Sequence, residues 1–240
     1  MPAHTEEFLG FTEQLVENTE EFGKFCQESL WSMETGLKFF EDPDWKNKTG
    51  KWKLEKKDET AKAAVYSNQD KKFGKVFGLT ALLEFGGTLD ALFDEFYRNI
   101  DVTPEWNPDV NTYKKLFDVG KQTDVVYVAS NDLLGGLVSS RDMVSARSWR
   151  KHEGSYYIGN RSITTSKMPP VKGKVRSDTL IELVILKPTD QPNVYEYIWT
   201  NRVDLKGMLP KSVVDRVMHH LMLNYITLLQ KRLHTISPTK

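Results

Sequence analysis

Pro210-Lys-Ser-Val-Val-Asp-Arg-Val-Met-His-His-Leu-Met-Leu-Asn-Tyr-Ile-Thr-Leu-Leu229 is the stretch with the plainest period, and its reading sets the fold class. Val214, Val217, Met218, Leu221, Tyr225, Leu228 and Leu229 recur at helical spacing, so about four turns carry one apolar stripe. Lys211, Asp215, Arg216, His219, Gln230 and Lys231 keep the remaining surface wet. Pro210 suits the opening turn, where a missing N–H costs nothing. A stripe of this width packs across a sheet, and the residues before it supply one.

Upstream the period changes to two. Strands are expected at Lys51 to Lys57, Ala63 to Ser67 and Phe73 to Phe85, with Asn68-Gln69-Asp70 as the turn between the last two. More are expected at Asn111 to Asp118, Asp124 to Ser130, Ser139 to Lys151, Ser155 to Thr165, Lys174 to Leu186 and Val194 to Val203. Their links are too short for crossover helices, which makes the pairing antiparallel. Thr88 is placed to cap a helix over Leu89 to Asn99. Before the strands, Phe8, Leu9, Phe11, Leu15, Phe22 and Phe25 predict one or two amphipathic helices, ended by Asp42-Pro43-Asp44. The order is helix, three strands, helix, six strands, long helix, an α+β chain.

Composition narrows the function. The 240 residues make one large domain or two small ones, with 33 basic and 33 acidic side chains. Zero formal charge removes the global field that nucleic-acid binding uses, so no nucleic acid is expected and any membrane contact is local or apolar. The single cysteine, Cys26, has no intramolecular partner for a disulfide and reads as a buried structural thiol. No apolar run approaches the roughly 20 residues of a spanning helix; the longest, Leu180 to Leu186, is interrupted by Glu182. The opening Met1-Pro-Ala-His-Thr-Glu-Glu7 is acidic where a signal peptide is basic, which predicts a cytoplasmic protein and makes the sequons at Asn47 and Asn160 chance matches. No phosphate-binding loop, dinucleotide fingerprint, nucleophile elbow or His-Glu-x-x-His occurs. His219 and His220 lie about 100° apart on their helix and do not share a face for one metal, so neither metal nor cofactor is expected.

Three segments are distinctive together: Trp106-Asn107-Pro108, Val138-Ser-Ser-Arg141-Asp142-Met-Val-Ser-Ala-Arg147, and Asp204-Leu-Lys-Gly-Met208-Leu-Pro210. They resemble the START domain, the lipid-transfer module named after the steroidogenic acute regulatory protein. The resemblance runs from about Trp45 to the C-terminus, with Met168-Pro-Pro170 and Lys174-Val-Arg176 also in place, and it is nearest the sterol- and carotenoid-binding branch. It divides the chain into an N-terminal helical segment, 1–44, and a lipid-binding domain, 45–240, packed as one continuous unit. What it implies is a helix-grip fold, a curved antiparallel sheet wrapped round the long C-terminal helix, with a tunnel for one lipid between them.

By the same resemblance, Leu133-Leu134-Gly135-Gly136-Leu137 form a lid through which lipid enters. The residues alone allow either a flexible apolar lid or a strand continuing through a bulge at the paired glycines. Arg141 and Asp142 point to opposite strand faces and do not pair with each other. The family places an arginine matching Arg147 inside the cavity. Its usual acid partner, about thirteen residues before the Arg-Asp motif, is here Val128, so Arg147 is expected to find another partner in Asn160, Tyr157 or water, or to await an oxygen on the ligand. A position that is serine in some relatives falls on Ile158. Tyr195, Tyr197 and Trp199 share one strand face as further candidate lining.

The candidate ligand contacts are therefore Trp106, Asn107, Val126, Val128, Ser130, Arg147, Ile158, Asn160, Met208, Val217, Leu221 and Tyr225. The expected function is a non-catalytic, monomeric carrier of one sterol or carotenoid, with transient membrane contact. The missing acid at Val128 favours a ligand that does not rely on a water-mediated hydroxyl contact to an acid-arginine pair. A helix-grip enzyme using Arg147 and a tyrosine stays open, as does a lipid-responsive interaction module in which the N-terminal helices bind a partner.

Overall fold

The computed structural model describes residues 7–17 and 19–237, with the side chains of Glu7 and Phe8 excepted. The acidic opening, residues 1–6, lies outside the described residues, as do residues 238–240 at the end of the expected domain. Alternating strands build the sheet: β3 (Trp52–Asp58), β4 (Ala63–Asp70), β5 (Gly74–Glu84), β6 (Val110–Asp118), β7 (Thr123–Ser130), β8 (Arg141–His152) and β9 (Ser155–Ser162), then β11 (Asp178–Pro188) and β12 (Val194–Asp204). They lie in the order β3-β4-β5-β12-β11-β9-β8-β7-β6, each antiparallel to the next.

Each strand sends alternate residues to opposite faces. Inward, Phe77, Leu79 and Leu83 of β5, Leu186 of β11 and Tyr197 of β12 join Met218, Met222, Ile226, Leu229 and Leu233 of α5 (Lys211–Ile236) in one core. Outward, Ile181, Leu183 and Ile185 of β11 pack with Cys26, Leu30 and Met33 of α1 (Glu20–Glu41). The sheet is thus held between two long helices, α5 on the inner face and α1 on the outer, a helix-grip fold. The N-terminal helix covers the back of the sheet and leaves the tunnel side to α5. Small residues let α1 approach closely: a Cβ on Gly159 would fall 2.6 Å from the Ser29 carbonyl oxygen, and one on Gly36 would fall 2.5 Å from Leu183 Cβ.

The N-terminal segment departs from its reading. Thr19 caps α1 by accepting from the Phe22 N–H, and that single helix is the only long one there among the described residues. Leu9 and Phe11 instead belong to a hairpin of β1 (Glu7–Phe8) and β2 (Phe11–Thr12). Leu9 (φ 52°) and Gly10 (φ 74°) make a two-residue turn with both φ positive, a conformation leucine rarely adopts and its sequence does not advertise. The chain then lies along the sheet: Leu15 bridges Gly120, and Glu13, 1% exposed, accepts from Thr123 Oγ1 at 2.7 Å.

Other differences are local. Asp42-Pro43-Asp44 ends α1 and also starts α2 (Pro43–Asn47), with the Asp42 side chain accepting from the Asp44 N–H. Asn68-Gln69-Asp70 is not a turn but the end of β4; Asp70 Oδ1 accepts from the N–H groups of Lys72 and Phe73 and moves the turn three residues on. After α3 (Leu89–Tyr97), capped by Thr88 as its sequence predicts, a short 3-10 turn leads to α4 (Thr103–Trp106). The segment expected as one strand from Lys174 is split: β10 (Val175–Arg176) pairs in parallel with β8, an exception to the antiparallel rule, and carries Arg176 onto Asp142. Pro210 precedes α5 as its cap rather than joining its first turn, and α5 continues two turns beyond Leu229.

Candidate functional site

The sheet is wider than one helix, and between its inner face and α5 lies a cavity of about 250 Å³. Val126 and Val128 of β7 and Met143, Ser145 and Arg147 of β8 form one wall. Ile158 and Asn160 of β9 and Thr179, Glu182 and Val184 of β11 continue it. Tyr197, Trp199, Asn201 and Val203 of β12 turn the wall toward Met218, Leu221 and Tyr225 of α5. Phe96 and Tyr113 close the side. The lining is mostly apolar, with a few polar groups placed on adjacent strands, the usual make-up of a site for a small apolar ligand.

The structure brings Val126, Val128, Arg147, Ile158, Asn160, Leu221 and Tyr225 to this cavity and leaves the other candidates off it. Trp106 packs at a tilt on Tyr225, ring centroids 5.7 Å apart, and is not among the lining residues. Asn107 is a turn cap whose Oδ1 accepts from the Asp109 N–H. Ser130 lies past the end of the wall, where its Oγ accepts from the Arg141 N–H. Met208 is fully exposed in the loop before α5. Val217 is one helical position off and packs beneath the Leu133–Val138 loop with Leu133, Val138 and Leu205. Of the strand-face aromatics, Tyr197 and Trp199 reach the cavity, whereas the Tyr195 hydroxyl donates to the Gly87 carbonyl.

Arg147 has a partner that the sequence reading missed. Asp124 stands directly across the β7–β8 ladder and takes the guanidinium in a fork, from Nε at 2.9 Å and from Nη2 at 2.8 Å. Nη2 also donates to the Tyr97 carbonyl and Nη1 to the Tyr113 hydroxyl, while the guanidinium stacks 4.1 Å from the Tyr97 ring centre. Both charges are buried, and each is satisfied by the other. Arg147 borders the cavity and also a surface depression lined by Arg98, Lys115 and Lys121, so the ion pair closes that end of the tunnel. Neither Asn160 nor Tyr157 is its partner, and it does not wait for a ligand oxygen.

The cavity does contain an acid, on a strand where none was expected. Glu182 accepts from Asn160 Nδ2 at 2.6 Å and from Trp199 Nε1 at 2.9 Å. Burial pushes its carboxyl up to about 7, against the pull of those two hydrogen bonds and the field of Arg147. Among the described residues, Asn160 Oδ1 and Asn201 Oδ1 are buried without hydrogen-bond partners. The signal was in the sequence: Glu182 is the one acid inside the run Leu180 to Leu186, at an inward position between Ile181 and Leu183. From behind, Ser32 of α1 fixes this point by accepting from the Glu182 N–H and donating to the Asn160 carbonyl.

The loop from Leu133 to Val138 closes on itself through hydrogen bonds between their backbone groups in both directions. Leu134, Gly135 and Gly136 all have positive φ, so the loop is a tight turn and not a strand with a bulge. Leu133 and Val138 point down onto Leu205 and Val217, and Leu137 is 55% exposed at the tip. Arg141 anchors the base of the loop, donating to the Leu205 carbonyl and to Ser139, while Asp142 binds Arg176. The adjacent pair thus faces apart. His219 packs edgewise on Phe77 and His220 lies 3.4 Å from Asp109, so the two imidazoles serve different neighbours.

Comparison with known proteins places this architecture. The family model for the START domain matches residues 44–239. The steroidogenic acute regulatory protein, mitochondrial, of Danio rerio is 31% identical over 161 residues, 67% of this chain and 56% of that protein. The human protein of the same name is 28% identical over 185 residues, 77% of this chain and 64% of its own length. The chain thus spans less than two thirds of these curated relatives. Among solved structures, human StAR-related lipid transfer protein 5 superposes with a TM-score of 0.77 at 20% identity, covering 88% of this chain and 97% of that one. Human STARD10 superposes with a TM-score of 0.69 at 20% identity, covering 95% and 84%.

Proposed function

We propose that this chain, which belongs to the START domain family, is a non-catalytic carrier that buries one sterol or hydroxylated carotenoid between its sheet and α5. The observation that carries this reading is the cavity itself, apolar over most of its wall and polar at Arg147 and Glu182. Affinity comes from burial: at about 25 cal/mol per Å², each ~100 Å² of apolar ligand surface removed from water contributes roughly 2.5 kcal/mol. The polar groups set orientation. The argument from the missing acid at Val128, against a ligand that needs a hydroxyl contact to an acid-arginine pair, falls away, because Glu182 supplies an acid from another strand and Asp124 already neutralises Arg147.

A cavity of about 250 Å³ falls below the roughly 300–1,000 Å³ usual for ligand pockets, so it must widen to take a lipid. A lipid therefore enters as the Leu133 to Val138 loop and the first turns of α5 part, where Leu133 and Val138 pack on Val217 and its neighbours. Leu137 and Met208, both exposed beside that seam, are the residues we assign to transient membrane contact. No helix among the described residues is long and apolar enough to cross a membrane. The enzyme alternative loses its proposed electrophile, because the Arg147 guanidinium is held by Asp124. Incubation with a mixed lipid extract, followed by mass spectrometry of the bound fraction, tests the reading: one unmodified lipid per chain supports it, and a chemically altered product overturns it.

A further inference from the structure

Resting on the carrier reading, we propose that Glu182, with Asn160 and Asn201, forms a hydrogen-bond-accepting pole that selects a lipid alcohol over the matching ketone. The pole spans adjacent strands: Asn160 on β9, Glu182 on β11, and Asn201 directly opposite Glu182 on β12. The donors that face the carboxyl, Asn160 Nδ2 and Trp199 Nε1, are already spent on it. The bond from Nδ2 fixes the Asn160 amide, which leaves its Oδ1 as an acceptor with no donor; Asn201 Oδ1 is likewise buried without a hydrogen-bond partner. Beside the carboxyl, the buried side-chain atoms without partners on Asn160 and Asn201 are both oxygens, so the local shortage is of donors.

A hydroxyl at the end of an apolar lipid supplies what is short, one O–H placed among oxygens. A carbonyl brings another acceptor beside a carboxyl and leaves the buried oxygens unpaired, and a buried polar group without a partner is costly. Sites built to bond a hydroxyl reject analogues lacking it for this reason. Arg147 does not rescue the ketone, since its Nε and Nη2 are held by Asp124 and Tyr97 and its Nη1 faces Tyr113. The selecting group is therefore Glu182 and not the arginine.

The test uses two matched pairs presented in phosphatidylcholine vesicles at pH 8, each ketone carrying its oxygen on the same carbon as its alcohol: cholestanol against cholestanone, and isozeaxanthin against canthaxanthin. Wild-type protein is expected to bind at least one alcohol about tenfold or more tightly than its ketone. Glu182→Gln, which keeps shape and removes the charge, is expected to cut that ratio to about threefold or less, and Asn201→Leu to reduce it independently. Circular dichroism confirms that each variant is folded. Equal affinity within both pairs, or an unchanged ratio in folded Glu182→Gln, overturns the assignment while leaving the carrier reading intact. Failure of all four lipids to bind overturns both.

Discussion

Glu182 makes the chain sensitive to pH in a direction that geometry decides. Its ordinary value is 4.5 and burial raises it to about 7 in the folded chain. The folded state therefore holds a proton that the unfolded state has released across that window, so unfolding free energy falls as pH rises. Stability is full below pH 4.5, and about 3 kcal/mol is lost by about pH 8. The neighbours do not blur the effect: burial raises Tyr113, Tyr197 and Tyr225 and keeps them neutral, and Arg147 stays charged. Urea unfolding at pH 5 and pH 8 should show this drop in wild type and little of it in Glu182→Gln; an equal drop in both would refute the burial argument. Asp124→Asn, by contrast, should cost about 3 to 5 kcal/mol at neutral pH, because it leaves the Arg147 guanidinium buried without its counter-charge. A loss below about 1 kcal/mol in the same assay would mean that the Arg147 charge is solvated by other means.

At the scale of elements, α1 is as much a part of the sheet as α5. Ser29, Ser32 and Gly36 recur along one side of α1; Gly159, with no Cβ, meets that helix at the Ser29 carbonyl and Met33, and Gly36 meets Leu183. Ser29 Oγ lies 2.6 Å from Ser148 Oγ, and Ser32 bridges β9 and β11 where their backbones part. Gly159→Ala should therefore push α1 off the sheet and cost about 1 to 3 kcal/mol in denaturant unfolding, although the new side chain is only a methyl. A neutral result would show that α1 yields easily. The lid is the opposite case, a small element held by few contacts. Leu137→Asp leaves Leu133 and Val138 in place and should slow lipid transfer from vesicles by about tenfold with little change in affinity. Loss of affinity instead would assign Leu137 to the cavity.

Elements with a strong period were the legible ones. The stripe of α5, the Thr88 cap and the run of alternating strands could be read because local pattern and tertiary fold agree there. The β1–β2 turn was hidden because Leu9 adopts a backbone conformation its side chain disfavours, and the true turn after Asp70 depends on a side chain capping its own backbone. The candidate site was legible only where strand alternation alone decides it, as for Val126, Val128, Arg147, Ile158 and Asn160. Trp106, Asn107, Ser130, Met208 and Val217 were misplaced because a motif fixes sequence position but not which side of a loop or helix turn faces inward. Asp124 needed the register of two strands, and Glu182 needed its interruption of an apolar run to be read as an inward acid.

As a whole molecule, the chain is a sheet held between two helices, one bonded to its back and one resting on a cavity across its front. Structural rigidity sits behind the pole, in α1 and its serines, and the opening we propose sits at the Leu133–Val138 loop and the start of α5. That division suits a protein that must release what it binds without unfolding. The central claim is that the cavity takes one lipid. Its most direct test is native mass spectrometry, with a visible absorption spectrum, of the purified chain after exposure to vesicles containing cholesterol and zeaxanthin. The account predicts a single added mass of one of these lipids per chain, with structured visible absorption if it is the polyene. A chain that stays unloaded, or that takes both lipids without fixed stoichiometry, would contradict it.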